Sequence, residues 1–401
     1  DRAVEFLSEL DAVPVDALDA NDRATYRLLG RELEKIRDFH AVRAHLRPSL
    51  FPAGPDFNLR YFANSTNANT VAAAELYLER LATVRGFVGD LKESLDAGHA
   101  FGFRYPRYVL DRAAGAVRSG ISKNARDSAL YGPFDRSTAA GSASVRALAD
   151  RAAELIEREI MPALDDYATF LGDTLALDGR DSIACTDDPM GEEFYALLVR
   201  NFTSLDLSPR ELHDLGLHEV ERVSGEIEKV AAEAGFEGRV DEYKAFVTSD
   251  SGFVADNLDD HLRTVLAICK EIDLQIPAYF GRIPRITYGV RCIPADLSEG
   301  MPPAYAQPSP ADNSTAGVFW LSGLPEKCPN YFYRSLALHE AWPGHLMQIA
   351  LMQERTDLPK FRRNGALKYT ACIEGWAMYC ESLGIEMGIY KTPHDHFGRL
   401  V

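Results

Sequence analysis

Two histidines and a glutamate stand close together in the run Leu338-His339-Glu340-Ala341-Trp342-Pro343-Gly344-His345. A His-Glu pair with a second His further along a helix is a zinc-binding pattern. The two imidazoles hold the ion, and the Glu beside the first takes a proton from the attacking water. The usual separation of the two His is four residues, which places both rings on one helix face. Here the separation is six. Six residues of regular helix turn through about 600° and rise about 9 Å, so the rings would face apart. Pro343 changes this, because it cannot donate to the His339 carbonyl and its ring clashes there, which kinks or ends the helix. Gly344 adds a permissive backbone. A Pro-Gly bulge could therefore absorb the two extra residues and turn His345 back toward His339.

A third ligand is available downstream in Ile373-Glu374-Gly375-Trp376-Ala377. Zinc sites of the gluzincin type take a third ligand, a carboxylate, from a later helix, matching the His2Glu ligand set of open catalytic sites. Glu374 lies 29 residues after His345, enough for a helix end, a turn and the start of an antiparallel partner. Its apolar neighbours predict a largely buried segment, where a carboxylate needs a partner or a metal. Glu381 follows seven positions later on nearly the same helix face. It could orient a metal-bound imidazole, or equally be an ordinary surface or ion-paired Glu.

These two motifs together resemble the bacterial DUF885 family, which is grouped with zincin-like metallopeptidases of the gluzincin type. Gly191-Glu192-Glu193-Phe194-Tyr195, Leu212-His213-Asp214-Leu215-Gly216-Leu217 and Phe397-Gly398-Arg399-Leu400 are similar to it as well. The resemblance implies a mainly helical architecture and a zinc-dependent peptidase. It implies His339, His345 and Glu374 as zinc ligands and Glu340 as general base. Leu346 stands where family members often carry a further His, which leaves His345 as the candidate in this stretch. Family members also continue past the Phe-Gly-Arg-Leu segment, so the resemblance implies a further C-terminal segment that would complete the site.

The elements that must position these residues are mostly helices. Apolar stripes at spacings of three and four predict helices over Asn21–Ala44, Thr70–Ala97 and Ser144–Leu175, the last kinked or ended near Pro162. Ser208-Pro209-Arg210-Glu211 reads as a capped helix start, with the helix running to about Ala234 and stopped by Gly235. Composition shifts near residue 276, and nine prolines lie between Pro277 and Pro329. Strands are predicted at Arg285–Cys292 and Ala316–Leu321, with helix resuming near Tyr331 after an Asn330 cap and a last helix over about Ala366–Gly388. The expected fold is mainly α, a large helical protein with a small β-sheet beside an active-site helix pair. The expected division is residues 1–276, a helical region forming one wall of a cleft, and 277–401, the sheet with the catalytic helices.

Zincins bind peptides along a sheet edge by strand addition. Ala316–Leu321 precedes the His-Glu helix by a short connection, so it is the expected edge. Tyr305, Phe319, Trp320 and Tyr333 are the candidate substrate-binding side chains. Tyr288, Tyr305, Tyr331 and Tyr333 could donate to the oxyanion of a tetrahedral intermediate. His394-Asp395-His396 reads as a loop beside Pro393 rather than a metal clip. His213 and His218 are five apart and off one helix face. Lys360, Arg362, Arg363 and Lys368 read as a solvated basic face that could attract a substrate carboxylate.

Composition narrows the function classes. The chain has 401 residues with 43 basic and 60 acidic side chains, a net charge of −17, which argues against a broad nucleic-acid footprint. No apolar run reaches the ~18 residues of a membrane span. The six cysteines form no CxxC pair, so they read mainly as buried thiols. The chain begins Asp1-Arg2 without a leader pattern, which leaves its compartment open. The reading is a zinc metallopeptidase acting on a peptide or small amide. The alternatives are the same zinc-water chemistry on non-peptide amides and a non-catalytic helical binding protein with a degenerate site.

Overall fold

In the computed structural model, residues 2–52, 54–294, 298, 301–310, 313–363 and 369–401 are described. The chain divides into two units, residues 1–7 with 32–197 and residues 8–31 with 198–401. Both are dominated by helix, so the chain is mainly α.

Unit 1 is a layered helical body. The stripe predicted over Thr70–Ala97 is two helices, Val71–Ala82 and Val84–Phe101, which meet at Thr83. Thr70 caps the first by accepting a hydrogen bond from the Ala73 N–H. The predicted Ser144–Leu175 helix begins at Ala143 and runs past Pro162 to Thr174. A wider turn at Ile156–Ile160 comes directly before the proline, and such a turn accommodates a missing N–H without ending the helix. Tyr77, Leu81, Leu110, Ile156, Ile160 and Leu171 form the centre of the core.

Unit 2 carries every candidate site residue. Its longest helix among the described residues, α1 (Pro209–Glu233), starts with the predicted Ser208–Glu211 reciprocal cap and gives way to Gly235 at φ +74. Helix α2 (Leu258–Tyr279) keeps its buried stripe of Val265, Ile268, Ile272 and Ile276 up to Pro277, near its last turn. Three short strands follow among the described residues: β1 (Tyr288–Cys292), β2 (Ala304–Gln307) and β3 (Gly317–Leu321). They are ordered β1-β3-β2, with β1 parallel and β2 antiparallel to β3.

This order corrects the expected sheet edge. Ala316–Leu321 supplies the central strand, whose two hydrogen-bonding edges are taken by Tyr288–Cys292 and Ala304–Gln307. The edge strand not recognised in sequence is β2, four residues held between Pro303 and Pro308 and too short for a clear alternation.

Among the described residues the longer helices after the sheet are α3 (Tyr333–Glu340), α4 (His345–Gln353), α5 (Thr370–Glu386) and α6 (Pro393–Leu400). The start predicted for α5 at Ala366, and Lys368 of the basic cluster, lie outside the described residues. His394-Asp395-His396 is helical rather than a loop, because Thr392 and Asp395 form a reciprocal cap around Pro393. Phe319, Leu321, Ala337 and Leu338 are fully buried in the core that joins the sheet to α2, α3 and α5.

Candidate metal centre

The Pro-Gly segment ends one helix and starts another. Helix α3 stops at Glu340, and Ala341 leaves helical geometry at φ −87, ψ −127. The chain then passes through a cis Trp342–Pro343 peptide, and α4 begins at His345. The two imidazoles come from the end of one helix and the beginning of the next. Their ring centroids are 4.7 Å apart with planes at 89°. Gly344 serves this turn differently from the sequence expectation. Its φ is −69, open to any residue, but a Cβ there would lie 1.8 Å from the His339 carbonyl oxygen. The missing side chain, more than backbone freedom, lets the bulge fold back onto α3.

Helix α5 delivers the carboxylates. Gly384 faces Leu338, where a Cβ would stand 2.3 Å from its Cδ1, so α5 lies close against α3. One turn earlier, Glu381 Oε1 meets His339 Nδ1 at 2.7 Å. Glu374 Oε2 lies 3.5 Å from His339 Nε2 and 3.6 Å from His345 Nε2. Among the described residues this is the one His/Cys/Asp/Glu triad whose ligand atoms converge, all within 4.8 Å.

The donor set fits a zinc ion. Bonds of about 2.0–2.1 Å at tetrahedral angles separate ligand atoms by about 3.3 Å, close to the His–Glu separations here. Glu381 occupies His339 Nδ1 and leaves Nε2 for a metal, the arrangement that fixes a ligating imidazole. His345 Nδ1 is buried without a hydrogen-bond partner among the described residues, so Nε2 is the nitrogen turned to Glu374. Two His and one Glu leave a fourth tetrahedral position open.

The electrostatics follow from burial. Glu340 is 7% exposed and accepts a hydrogen bond from the Ala306 N–H of β2. Burial pushes its carboxyl up to about 7, despite the opposing His339 charge and the Ala306 bond. Burial, with the neighbouring His339 charge, lowers His345 to about 4, so that ring is neutral and its lone pair free. Burial also pulls His339 down, but the Glu381 bond and the charges of Glu340, Glu381 and Glu374 outweigh it and leave this ring raised.

Phe319 is fully buried in the core. Tyr333 is buried, with its hydroxyl 2.6 Å from His261 Nδ1. Tyr305 stacks on Trp320 at 6.2 Å, and the Trp320 indole donates to Gln307. The Tyr288 hydroxyl donates to Asp273, so it is not free for an oxyanion, and Tyr331 is buried against Phe397. Leu346 is buried in the core against Gly317. His394 packs on Phe253 and Tyr243, and His396 on Tyr390. Arg362 donates to Asn21 and Thr25. Two contacts at the site escaped the sequence reading. Ala306 on β2 carries no side-chain signal at all. Trp376, noted there only as an apolar neighbour of Glu374, donates its indole N–H to the Pro343 carbonyl at 2.9 Å.

Comparison with known proteins places the chain in context. The family described as "Bacterial protein of unknown function (DUF885)" matches residues 1–401. A solved structure described as "the putative lipoprotein from Colwellia psychrerythraea" aligns over 100% of this chain and 71% of its own, with TM-score 0.89 and 21% identity. That likeness is one of fold. No curated protein matches.

Proposed function

The chain belongs to the bacterial DUF885 family over its whole length, and we propose that it is a zinc-dependent peptidase of the zincin-like, gluzincin type. The observation that carries this reading is the convergence of His339, His345 and Glu374 beside the buried carboxyl of Glu340.

His339, His345 and Glu374 would hold the zinc. Bound zinc supplies a Lewis acid and lowers the pKa of a coordinated water toward neutrality. Glu340 takes the proton of the attacking water and returns it to the leaving amine. Burial holds this carboxyl above its ordinary range in the metal-free chain, and a buried carboxyl beside the ligands can take and return a proton. Glu381 keeps His339 in the tautomer that presents Nε2. The peptide reading draws on β2, an edge strand beside the general base, where an extended chain could add by backbone hydrogen bonding.

The test is Glu340→Gln in the full chain, assayed against a mixed peptide library and a panel of acyl-amides. Zinc stoichiometry should be unchanged, and peptide hydrolysis should fall by about 10²–10⁴-fold, the usual contribution of a general base. Full turnover by the variant, or a parent that cleaves only non-peptide amides, would overturn the reading.

A further inference from the structure

Glu374 has little to hold it in place. Its side chain is 53% exposed, and among the described residues its ion pairs are with His339 and His345 alone. Its position is therefore set by where α5 lies relative to the two histidines. Glu381 ties α5 to the His339 ring. Among the described residues no hydrogen bond of this kind reaches the His345 ring, whose Nδ1 has no partner there. The second tie goes to the backbone that precedes His345. Trp376, two residues after Glu374, donates its indole N–H to the carbonyl of Pro343 at 2.9 Å. The indole packs against the rings of Phe280 at 6.3 Å and Tyr379 at 5.8 Å, which restrict where its N–H points. Gln348 of α4 adds a longer contact, Nε2 to the Cys372 carbonyl at 3.4 Å.

From this geometry we infer that Trp376 is a positioning residue of the metal centre: its indole fixes the Trp342–Pro343–Gly344 bulge to the Glu374 helix and so sets the His345–Glu374 separation. The inference rests on the zinc reading above. The four non-helical residues between α3 and α4, Ala341–Gly344, have no internal hydrogen-bond ladder to define them. The Pro343 carbonyl is a freed acceptor that would otherwise turn to water. Satisfying it from α5 makes the ligand-bearing helix and the ligand-bearing turn move together. One helix thus carries a ligand, a clamp on the bulge and an orienting group for His339, at positions 374, 376 and 381.

The experiment is Trp376→Phe in the full chain, which removes the N–H and keeps an aromatic ring against Phe280. Zinc affinity is read by competition with a chromophoric chelator, ligand geometry by the visible bands of the cobalt-substituted protein, and fold by the melting of the metal-free chain. Zinc should bind about tenfold or more weakly, the range for groups that orient metal ligands. The cobalt bands should change in position or intensity, with metal-free melting little altered. Zinc affinity within twofold of the parent and identical cobalt bands would overturn the inference. So would a variant whose loss appears only in metal-free melting. If Trp376→Phe does not fold, indole ¹⁵N–¹H spectra of the parent decide. The Trp376 N–H should be protected from exchange and shift on zinc addition, and an unprotected, unshifted signal refutes the clamp. A parent that takes up no zinc in the same assay removes the underlying reading instead.

Discussion

Glu340→Gln should stabilise the metal-free protein as well as disable it. The carboxyl ionises near its ordinary 4.5 in the unfolded chain and at about 7 in the folded one, because burial disfavours the charge. Between those values the folded chain holds a proton that the unfolded chain has released. Stability from this group is therefore lost as pH rises from 4.5 through 7, and nothing is lost below 4.5, where both states are protonated. At pH 8 the ionised Glu340 costs the fold about 3 kcal/mol. Glutamine keeps an oxygen to accept the Ala306 N–H and carries no charge to bury. His345 acts in the opposite sense. Its folded value of about 4 lies below the ordinary 6.5, so stability is lost as pH falls from 6.5 toward 4. That contribution is common to parent and variant and cancels in their difference.

The assay is urea unfolding in the presence of a chelator, followed by tryptophan fluorescence. All three tryptophans, Trp320, Trp342 and Trp376, lie in unit 2, so the signal reports the unit that contains the site. At pH 8 the variant should be more stable by about 3 kcal/mol, a midpoint rise of about 1–2 M for ordinary urea slopes. The two curves should converge near pH 4.5. Equal midpoints at pH 8, or a destabilised variant, would refute the claim that the Glu340 charge is held at the expense of the fold.

Gly344→Ala should force the bulge off α3, because its Cβ would meet the His339 carbonyl at 1.8 Å. The expected result is a stability loss of about 1–3 kcal/mol by the same urea assay. Zinc affinity should fall with it, and unchanged affinity would mean the close approach is dispensable. Glu381→Ala leaves His339 Nδ1 without its acceptor and should weaken zinc binding by about 10–100-fold in chelator competition. Glu381→Gln, which can still accept from Nδ1–H, should recover part of that loss.

The geometry of the candidate site was legible in the sequence where spacing alone raised and answered a geometric question. The six-residue His separation demanded a break, and Pro343-Gly344 supplied one. The structure breaks there and brings the rings to 4.7 Å. Glu381 was legible as well, since seven residues return to nearly the same face of α5. What could not be read were relations between distant segments. β2 is four residues between prolines, and its Ala306 contributes only a backbone N–H. No side-chain pattern encodes such a contact. The central place of Ala316–Leu321 depends on two partners that both lie before it in the proline-rich stretch, and sequence proximity to the His-Glu helix suggested an edge instead. Phe319 and Tyr333 were candidates to touch substrate, but strand alternation and helix phase turn both into the core. The helix at Pro393 was overlooked although Thr392 and Asp395 form a cap of the same kind recognised at Ser208.

The most direct test of the account is metal analysis of the purified chain by elemental mass spectrometry, beside a His339→Ala control. The account predicts close to one zinc per chain in the parent and loss of that zinc in the control. A parent that carries no metal after zinc is added back, or a control that retains it, would contradict the assignment of His339, His345 and Glu374 as a zinc site.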